Sequence, residues 1–222
     1  MRRPRIKICG IRDKETALLA THEGADSLGF VFHPESPRNV SPETVREITR
    51  LLPPFVNRTG VFVNQSVNEI LRIVEFSGLD TIQLHGEGNN PNEKSIARIR
   101  EKSGLSILVA LRVEKLDGAL LESLDNDSVN GWLIDRFDPS AYGGTGKAVD
   151  LSENFTEKER ALLSAKVVLA GGIRAGNVLD LLTRLRPWGI DVSSGLESAK
   201  GIKDPEKIRD FMRTVREVHF DD

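Results

Sequence analysis

Cys9 is the one cysteine of the chain, and it closes a short apolar run, Arg5-Ile6-Lys7-Ile8-Cys9-Gly10-Ile11. Asp135 closes another, Gly131-Trp132-Leu133-Ile134-Asp135. A thiol acts as a base near neutral pH only if its pKa is lowered or the carbon acid is very acidic. An aspartic acid donates a proton there only if its pKa is raised. Flanking one substrate, the two would move two protons at two atoms, which suits an isomerase better than a hydrolase. No Ser–His–Asp relay with its usual motifs is present. There is no CxxC or HExxH, and the four histidines are scattered. Nothing in the sequence suggests a metal site.

These residues matter only if the fold brings them to one place. Short apolar runs alternate with helical patterns along the whole chain. The expected strands are Arg5–Ile8, Ser27–Phe32, Thr59–Val63, Thr81–His85, Ser106–Leu111, Gly131–Asp135, Lys166–Ala170 and Gly189–Ser193. Between them the spacing predicts helices near Lys14–Glu23, from Ser41 to before Pro53-Pro54, Ser66–Ser77 and Asn92–Lys102. Further helices are expected near Gly118–Leu124 (a weaker pattern), Phe155–Leu163, Asn177–Leu185 and Pro205–Val218. Ser41-Pro42 is a cap followed by proline at the first helical position, and Gly24 closes the first helix. Apolar strands joined by helices argue a parallel sheet buried on both faces. Eight repeats of this size favour an α/β single-domain (β/α)8 TIM barrel over residues 1–222 rather than a doubly wound sheet.

In such a barrel the active site forms at the carboxyl ends of the strands. A polar residue there is a candidate; the same residue on a helix face is not. Cys9, Arg38, Gln83, His85, Arg112, Asp135, Asp191, Ser193 and Ser194 meet that condition. Each also has a plainer reading. A lone strand-end cysteine is ordinarily a small buried hydrophobe. Asp135 could cap a loop, Arg38 and Arg112 could be solvated charges, and Gln83 and His85 could pack the rim. Glycine clusters follow three strands: Gly143-Gly144-Thr145-Gly146, Gly171-Gly172, and Gly195. Glycine lets backbone N–H groups approach an oxyanion. Loops after strands 7 and 8 are the usual phosphate site of this fold, so a phosphorylated small-molecule substrate is expected.

Composition removes other classes. The net charge of −2 carries no electrostatic footprint for nucleic acid or an anionic membrane. No run approaches the roughly 20 apolar residues that span a bilayer. The basic start, Met1-Arg2-Arg3-Pro4, has no long apolar stretch behind it and makes a poor signal peptide. One cysteine forms no internal disulfide, so a reducing cytoplasm is the simplest setting.

Taken in order, these pieces resemble the phosphoribosylanthranilate isomerase family of tryptophan biosynthesis. The resemblance runs through Lys7-Ile8-Cys9-Gly10-Ile11, Gly29-Phe30-Val31-Phe32, Ser36-Pro37-Arg38, Val61-Phe62-Val63-Asn64, Gln83-Leu84-His85-Gly86 and Leu133-Ile134-Asp135. It continues through Gly143–Gly146, Leu169–Ile173, Asn177-Val178, Asp191–Glu197 and Gly201–Asp204. It implies an Amadori rearrangement with Asp135 as acid and Cys9 as base. Arg38 would hold the anthranilate carboxylate, and Asp191 would lie near the anthranilate amine. Gly171, Gly172, Ser194 and Gly195 would bind the phosphate, with Gln83 and His85 as further substrate contacts. It implies no cofactor, and a monomer or homodimer, with other tryptophan-pathway enzymes as possible partners. Two departures stand out: Arg136 beside the acid, and Ala148-Val149-Asp150-Leu151 after the glycine loop, where aromatic residues are common. The nearest rival is a phosphoribosyl isomerase of the histidine pathway, which resembles this chain but carries aspartate where Cys9 stands. A phosphate-binding barrel without catalysis is the rival from another class.

Overall fold

The structure, a computed structural model, describes residues 2–86, 92–125, 127–136, 150–151 and 155–220. In order, the elements are β1 (Arg5–Cys9), α1 (Lys14–His22), β2 (Ser27–Phe32), α2 (Pro42–Thr49), β3 (Asn57–Val63), α3 (Val67–Ser77), β4 (Thr81–His85) and α4 (Glu93–Ser103). Then come β5 (Ser106–Val113), β6 (Lys115–Leu116), α5 (Gly118–Ser123), β7 (Gly131–Arg136), β8 (Asp150–Leu151), α6 (Glu157–Lys166) and β9 (Val167–Leu169). The chain ends with α7 (Ala175–Leu185), β10 (Gly189–Val192), a 3-10 turn (Ser194–Leu196), β11 (Glu197–Ala199), β12 (Ile202–Lys203) and α8 (Pro205–Arg216).

Eight strands form a closed barrel in the order β1-β10-β9-β7-β5-β4-β3-β2. The expected (β/α)8 barrel is therefore present. It closes because β1 pairs in parallel with both β2 and β10, Ile8 meeting Leu28 on one side and Val192 on the other.

Strand alternation then builds two separate cores. One residue parity points outward: Ile6, Ile8, Leu28, Phe30, Ile82, Leu84, Ile107, Val109, Ile134, Leu169, Ile190 and Val192 join the main buried cluster. That cluster takes in the apolar stripes of the helices, such as Ile70 and Val74 of α3 and Ile208, Phe211, Met212 and Val215 of α8. The opposite parity fills the barrel interior with smaller clusters, Cys9 with Val31 and Val61, and Ala110 with Leu133 and Ala170. Helix starts are set by short polar caps. Asp13, Ser41, Ser66, Asn92, Asp117, Thr156 and Asp204 each accept a backbone N–H of the first turn, a contact worth about 1 kcal/mol apiece.

The differences from the sequence expectation are local. β3 begins at Asn57 rather than Thr59, because Asn57 still pairs with Ser27. β5 continues to Val113, held by the ladder Arg112–Asp135 and Val113–Arg136 with β7. α6 starts at Glu157, behind the N-cap Thr156 that shares a capping box with Glu159, and runs to Lys166, so it is displaced from Phe155–Leu163. Two small sheets were not foreseen, β6 with β8 and the antiparallel β11–β12. Each has strands of only two or three residues, too short to leave a period-2 pattern. Gly143–Gly146 lies outside the described residues.

Candidate active site

β1 is the strand that matters most. Lys7 and Cys9 are two residues apart, so both side chains stand on its inner face. Lys7 is only 6% exposed, yet it carries an ammonium. Its Nζ donates to Asp191 Oδ1 at 2.9 Å, and both partners are buried. The register places this bond, since Lys7 of β1 faces Asp191 of β10 directly. Burial works against the Lys7 charge, but Asp191 and Cys9 more than offset it, so the lysine stays protonated.

The Cys9 thiol is buried and free. The space beside it exists because position 29 is glycine. A Cβ there would stand 2.8 Å from Cys9 Sγ and 3.1 Å from Lys7 Nζ. Burial pushes the thiol above its ordinary pKa; Lys7 and Lys203 pull it down and Asp191 pushes it up, with burial prevailing. Lys7 is the nearer of the two cations that favour the thiolate.

Gly10 follows Cys9 with φ of +84°, a left-handed conformation that favours glycine. A Cβ there would meet Arg38 Cδ at 2.7 Å, so the stem of Arg38 lies on the end of β1. The far side of Arg38 is clamped. Its Nε and Nη2 donate to the two oxygens of Glu197 at 2.6 and 2.8 Å. Glu197 also accepts from Lys203 Nζ at 3.0 Å and from the Gly201 N–H at 3.2 Å. These contacts hold the Glu197 carboxyl at about 2, its own burial notwithstanding. Lys203, buried, is displaced downward despite Glu197. It donates to Ser193 Oγ at 3.3 Å, and Ser193 Oγ donates to the Cys9 carbonyl at 3.0 Å. The β11–β12 hairpin thus ties Arg38 and the end of β1 into one rim.

The glycine loops meet as well. Gly171 and Gly172 both have positive φ after β9. The turn at Ser194–Leu196 packs on them: a Cβ on Gly195 would stand 1.9 Å from the Ile173 carbonyl oxygen. Asn177 locks the loop, its Nδ2 donating to the Gly172 carbonyl and its Oδ1 accepting from the Arg174 N–H. Ser194, Gly195, Gly171 and Gly172 are all at least partly open to solvent.

The remaining candidates sit on the same rim or just below it. Asp135, at intermediate exposure, is the next-to-last residue of β7 and pairs with Arg112, which is exposed. Gln83 is 3% exposed, and its Oε1 has no hydrogen-bond partner among the described residues. His85 is intermediate. The sequence candidates among the described residues are therefore at the carboxyl end of the barrel. The reading missed Lys7, Glu197 and Lys203. Lys7 carried a signal: a lone charge inside an apolar strand, in phase with Cys9. Glu197 and Lys203 carried none, because their pairing depends on a hairpin the pattern did not reveal.

Comparison with known proteins bears on this rim. Residues 6–214 match the family model of N-(5'phosphoribosyl)anthranilate (PRA) isomerase. The N-(5'-phosphoribosyl)anthranilate isomerase of Pelobacter propionicus is 41% identical over 214 residues, covering 96% of each chain. The crystal structure of phosphoribosyl anthranilate isomerase from Thermotoga maritima superposes with a TM-score of 0.81 at 35% identity, covering 97% of this chain and 100% of that one. A phosphoribosyl anthranilate isomerase solved with reduced 1-(o-carboxyphenylamino)-1-deoxyribulose 5-phosphate superposes at 0.78 and 34% identity, with the same coverage. A further structure, of monomers generated from the dimeric Thermotoga maritima enzyme, superposes at 0.78 and 32% identity, again with 97% and 100% covered.

Proposed function

The chain belongs to the N-(5'-phosphoribosyl)anthranilate isomerase family, and from that premise we propose how its own residues carry the reaction. It is the isomerase of tryptophan biosynthesis that converts N-(5-phosphoribosyl)anthranilate to 1-(2-carboxyphenylamino)-1-deoxyribulose 5-phosphate. The assignment of roles is ours, and one observation carries it. The only thiol of the chain lies at the carboxyl end of β1, in the same rim as Asp135, Arg38 and the two glycine loops.

Asp135, as the carboxylic acid, protonates the ribose ring oxygen. The C1′–O bond breaks and the nitrogen lone pair forms a protonated Schiff base. That cation acidifies C2′, and Cys9 as thiolate takes the C2′ proton to leave a neutral enolamine. Tautomerisation to the ketone adds a proton at C1′ and removes one from the 2′-hydroxyl. Cys9 supplies the first and Asp135 accepts the second, so both return to their starting forms. General acid and base each contribute roughly 10²–10⁴-fold to such steps.

Arg38 holds the anthranilate carboxylate. Its clamp by Glu197 occupies Nε and one hydrogen of Nη2, leaving Nη1 and the outer edge of the guanidinium for a second carboxylate. Asp191 keeps Oδ1 on Lys7 and turns its other oxygen to the anthranilate amine. The backbone N–H groups around Gly171, Gly172, Ser194 and Gly195 bind the phosphate. Gln83, with a buried oxygen unpartnered among the described residues, and His85 contact the ribose part. Residues 1–222 form one domain acting in the cytoplasm. It works as a homodimer, as a dimeric relative suggests, and sedimentation at micromolar concentration tests this. No helix among the described residues is long and apolar enough to cross a membrane.

The deciding assay is turnover of freshly generated phosphoribosylanthranilate, followed by loss of anthranilate fluorescence, for wild type and Asp135→Asn. Collapse in the variant supports the acid. Undiminished turnover keeps the reaction and removes Asp135 from it. A folded wild type that turns over only the histidine-pathway substrate, or binds without turnover, would overturn the whole reading.

A further inference from the structure

Lys7 has no part in the proton transfers above, yet it is buried at the centre of the site. A lysine this deeply enclosed is rare without a specific partner. The Asp191 ion pair satisfies its charge but does not explain its presence. Replacing such a pair with apolar side chains of similar size is often neutral or stabilising, because two charges must be stripped of water to bury them. Its second neighbour is the base itself. The ammonium and the sulfur share one slot, opened by the missing side chain at Gly29, where a Cβ would stand 3.1 Å from Nζ and 2.8 Å from Sγ. Both groups project from the same face of β1, and Asp191 on β10 fixes the ammonium from the other side.

We propose that Lys7 is the positioning residue of the base: its ammonium, anchored by Asp191, holds the Cys9 sulfur and stabilises it as the thiolate that takes the C2′ proton. This rests on the reading of Cys9 as the base. The physical need is plain, because burial alone favours the neutral thiol, which is not a base. A cation beside the sulfur in a water-poor site is the strongest available counterweight. The charged groups that act on the sulfur are Lys7 from β1, Asp191 from β10 and Lys203 from β12, while β2 contributes Gly29 and the apolar Val31. Of these Asp191 opposes the thiolate, so its role is to keep Lys7 charged and in place. Lys7 is not an alternative base, since a protonated amine has no lone pair to offer.

The single cysteine makes the test direct. Thiolate absorbance at 240 nm reports Cys9 alone, and the one tyrosine is followed separately at 295 nm. The enzyme is titrated without ligand as wild type, Lys7→Met, Lys7→Arg, Asp191→Asn and Lys7→Met/Asp191→Asn. Lys7→Met is expected to raise the Cys9 midpoint by about 1–3 on the pH scale, the range for losing an adjacent opposite charge. The acid limb of its kcat/KM profile should move the same way. Lys7→Arg should stay near wild type, and Asp191→Asn is the reference for the double variant. If Lys7→Met fails to fold around an unpaired carboxylate, the double variant serves instead, with a midpoint expected above that of Asp191→Asn. A midpoint and acid limb unmoved by loss of Lys7, in folded protein, would overturn the proposal. Full turnover in Cys9→Ser would instead overturn the role of the base, an outcome the substrate-free titration does not depend on.

Discussion

The two ends of the barrel interior are built differently. At the amino end a cavity of about 340 Å³ is bordered by the charged Arg5, Asp26 and Lys166 and by a cluster of neutral strand residues, Ser27, Asn57, Thr59 and Thr81. Those four are neutral, and they satisfy one another: Ser27 meets Thr59, Asn57 donates to Thr81, and Thr59 donates to Asn57. At the carboxyl end the polar groups are charges. Lys7–Asp191 and Arg38–Glu197–Lys203 lie around a buried thiol. Lys7 borders the lower cavity and also bonds upward to Asp191. The contrast teaches that an open volume does not mark the chemistry. Neutral groups bonded to one another have little left to react with. Charges held away from water interact strongly and shift the titration of whatever lies among them.

If that contrast is right, the largest effects of mutation lie at the carboxyl end and appear in rate. Cys9→Ser is expected to lower kcat by on the order of 10²–10⁴-fold, since the alcohol is a far weaker base. Product affinity should stay within about tenfold, as the substitution removes no bulk. Stopped-flow fluorescence and product titration measure both, and near-normal turnover would take Cys9 out of the mechanism. Next is Arg38→Ala, expected to weaken binding of the anthranilate part by about 2–4 kcal/mol, seen in KM more than kcat. An unchanged KM would mean that Glu197, not substrate, is the only carboxylate Arg38 serves.

Glu197 sharpens the comparison through pH. Its folded pKa is about 2 against an ordinary 4.5, so the stabilisation it provides is fully present above about 4.5 and is lost as pH falls toward about 2. A displacement of that size corresponds to about 3 kcal/mol. Wild type should therefore lose more stability than Glu197→Gln between pH 5 and pH 3, as read by urea unfolding. The variant should already be weaker at pH 7, because it leaves Lys203 buried with less to offset its charge. Parallel curves for the two proteins would show that the clamp contributes nothing to stability.

How far the sequence revealed this molecule follows from the same physics. The eight strands were legible because buried parallel strands are apolar throughout and are punctuated by glycine and capped helices. Cys9, Asp135, Arg38 and Asp191 were legible as strand-end or rim residues once the strands were drawn. Lys7 was overlooked because a charge within a strand reads as a flaw in the apolar pattern until its partner is known. That partner is 184 residues away and comes into contact only through closure of the barrel. The Glu197 clamp was hidden for a different reason. A hairpin of two short strands has no period to read, and what fixes it is tertiary: a Cβ at Gly201 would stand 2.2 Å from the Pro37 carbonyl oxygen.

The smallest expected effect belongs to the amino end, where it tests the comparison from the other side. Thr59→Val keeps the shape of the side chain and removes a hydroxyl bonded to both Ser27 and Asn57, which also bond each other directly. Thr59 is 2% exposed, so its partners lose a hydrogen bond that water replaces only by entering the cavity. The expected loss is about 1–2 kcal/mol of stability, with kcat and KM within twofold of wild type. Lys7 stands between this network and the thiol, so the variant also asks whether the two ends are coupled. A stability loss with unchanged kinetics means that the lower network is scaffold alone. A fall in kcat comparable to that of Lys7→Met would mean that the neutral end helps set the state of the base, and the division drawn between the two ends would have to be given up.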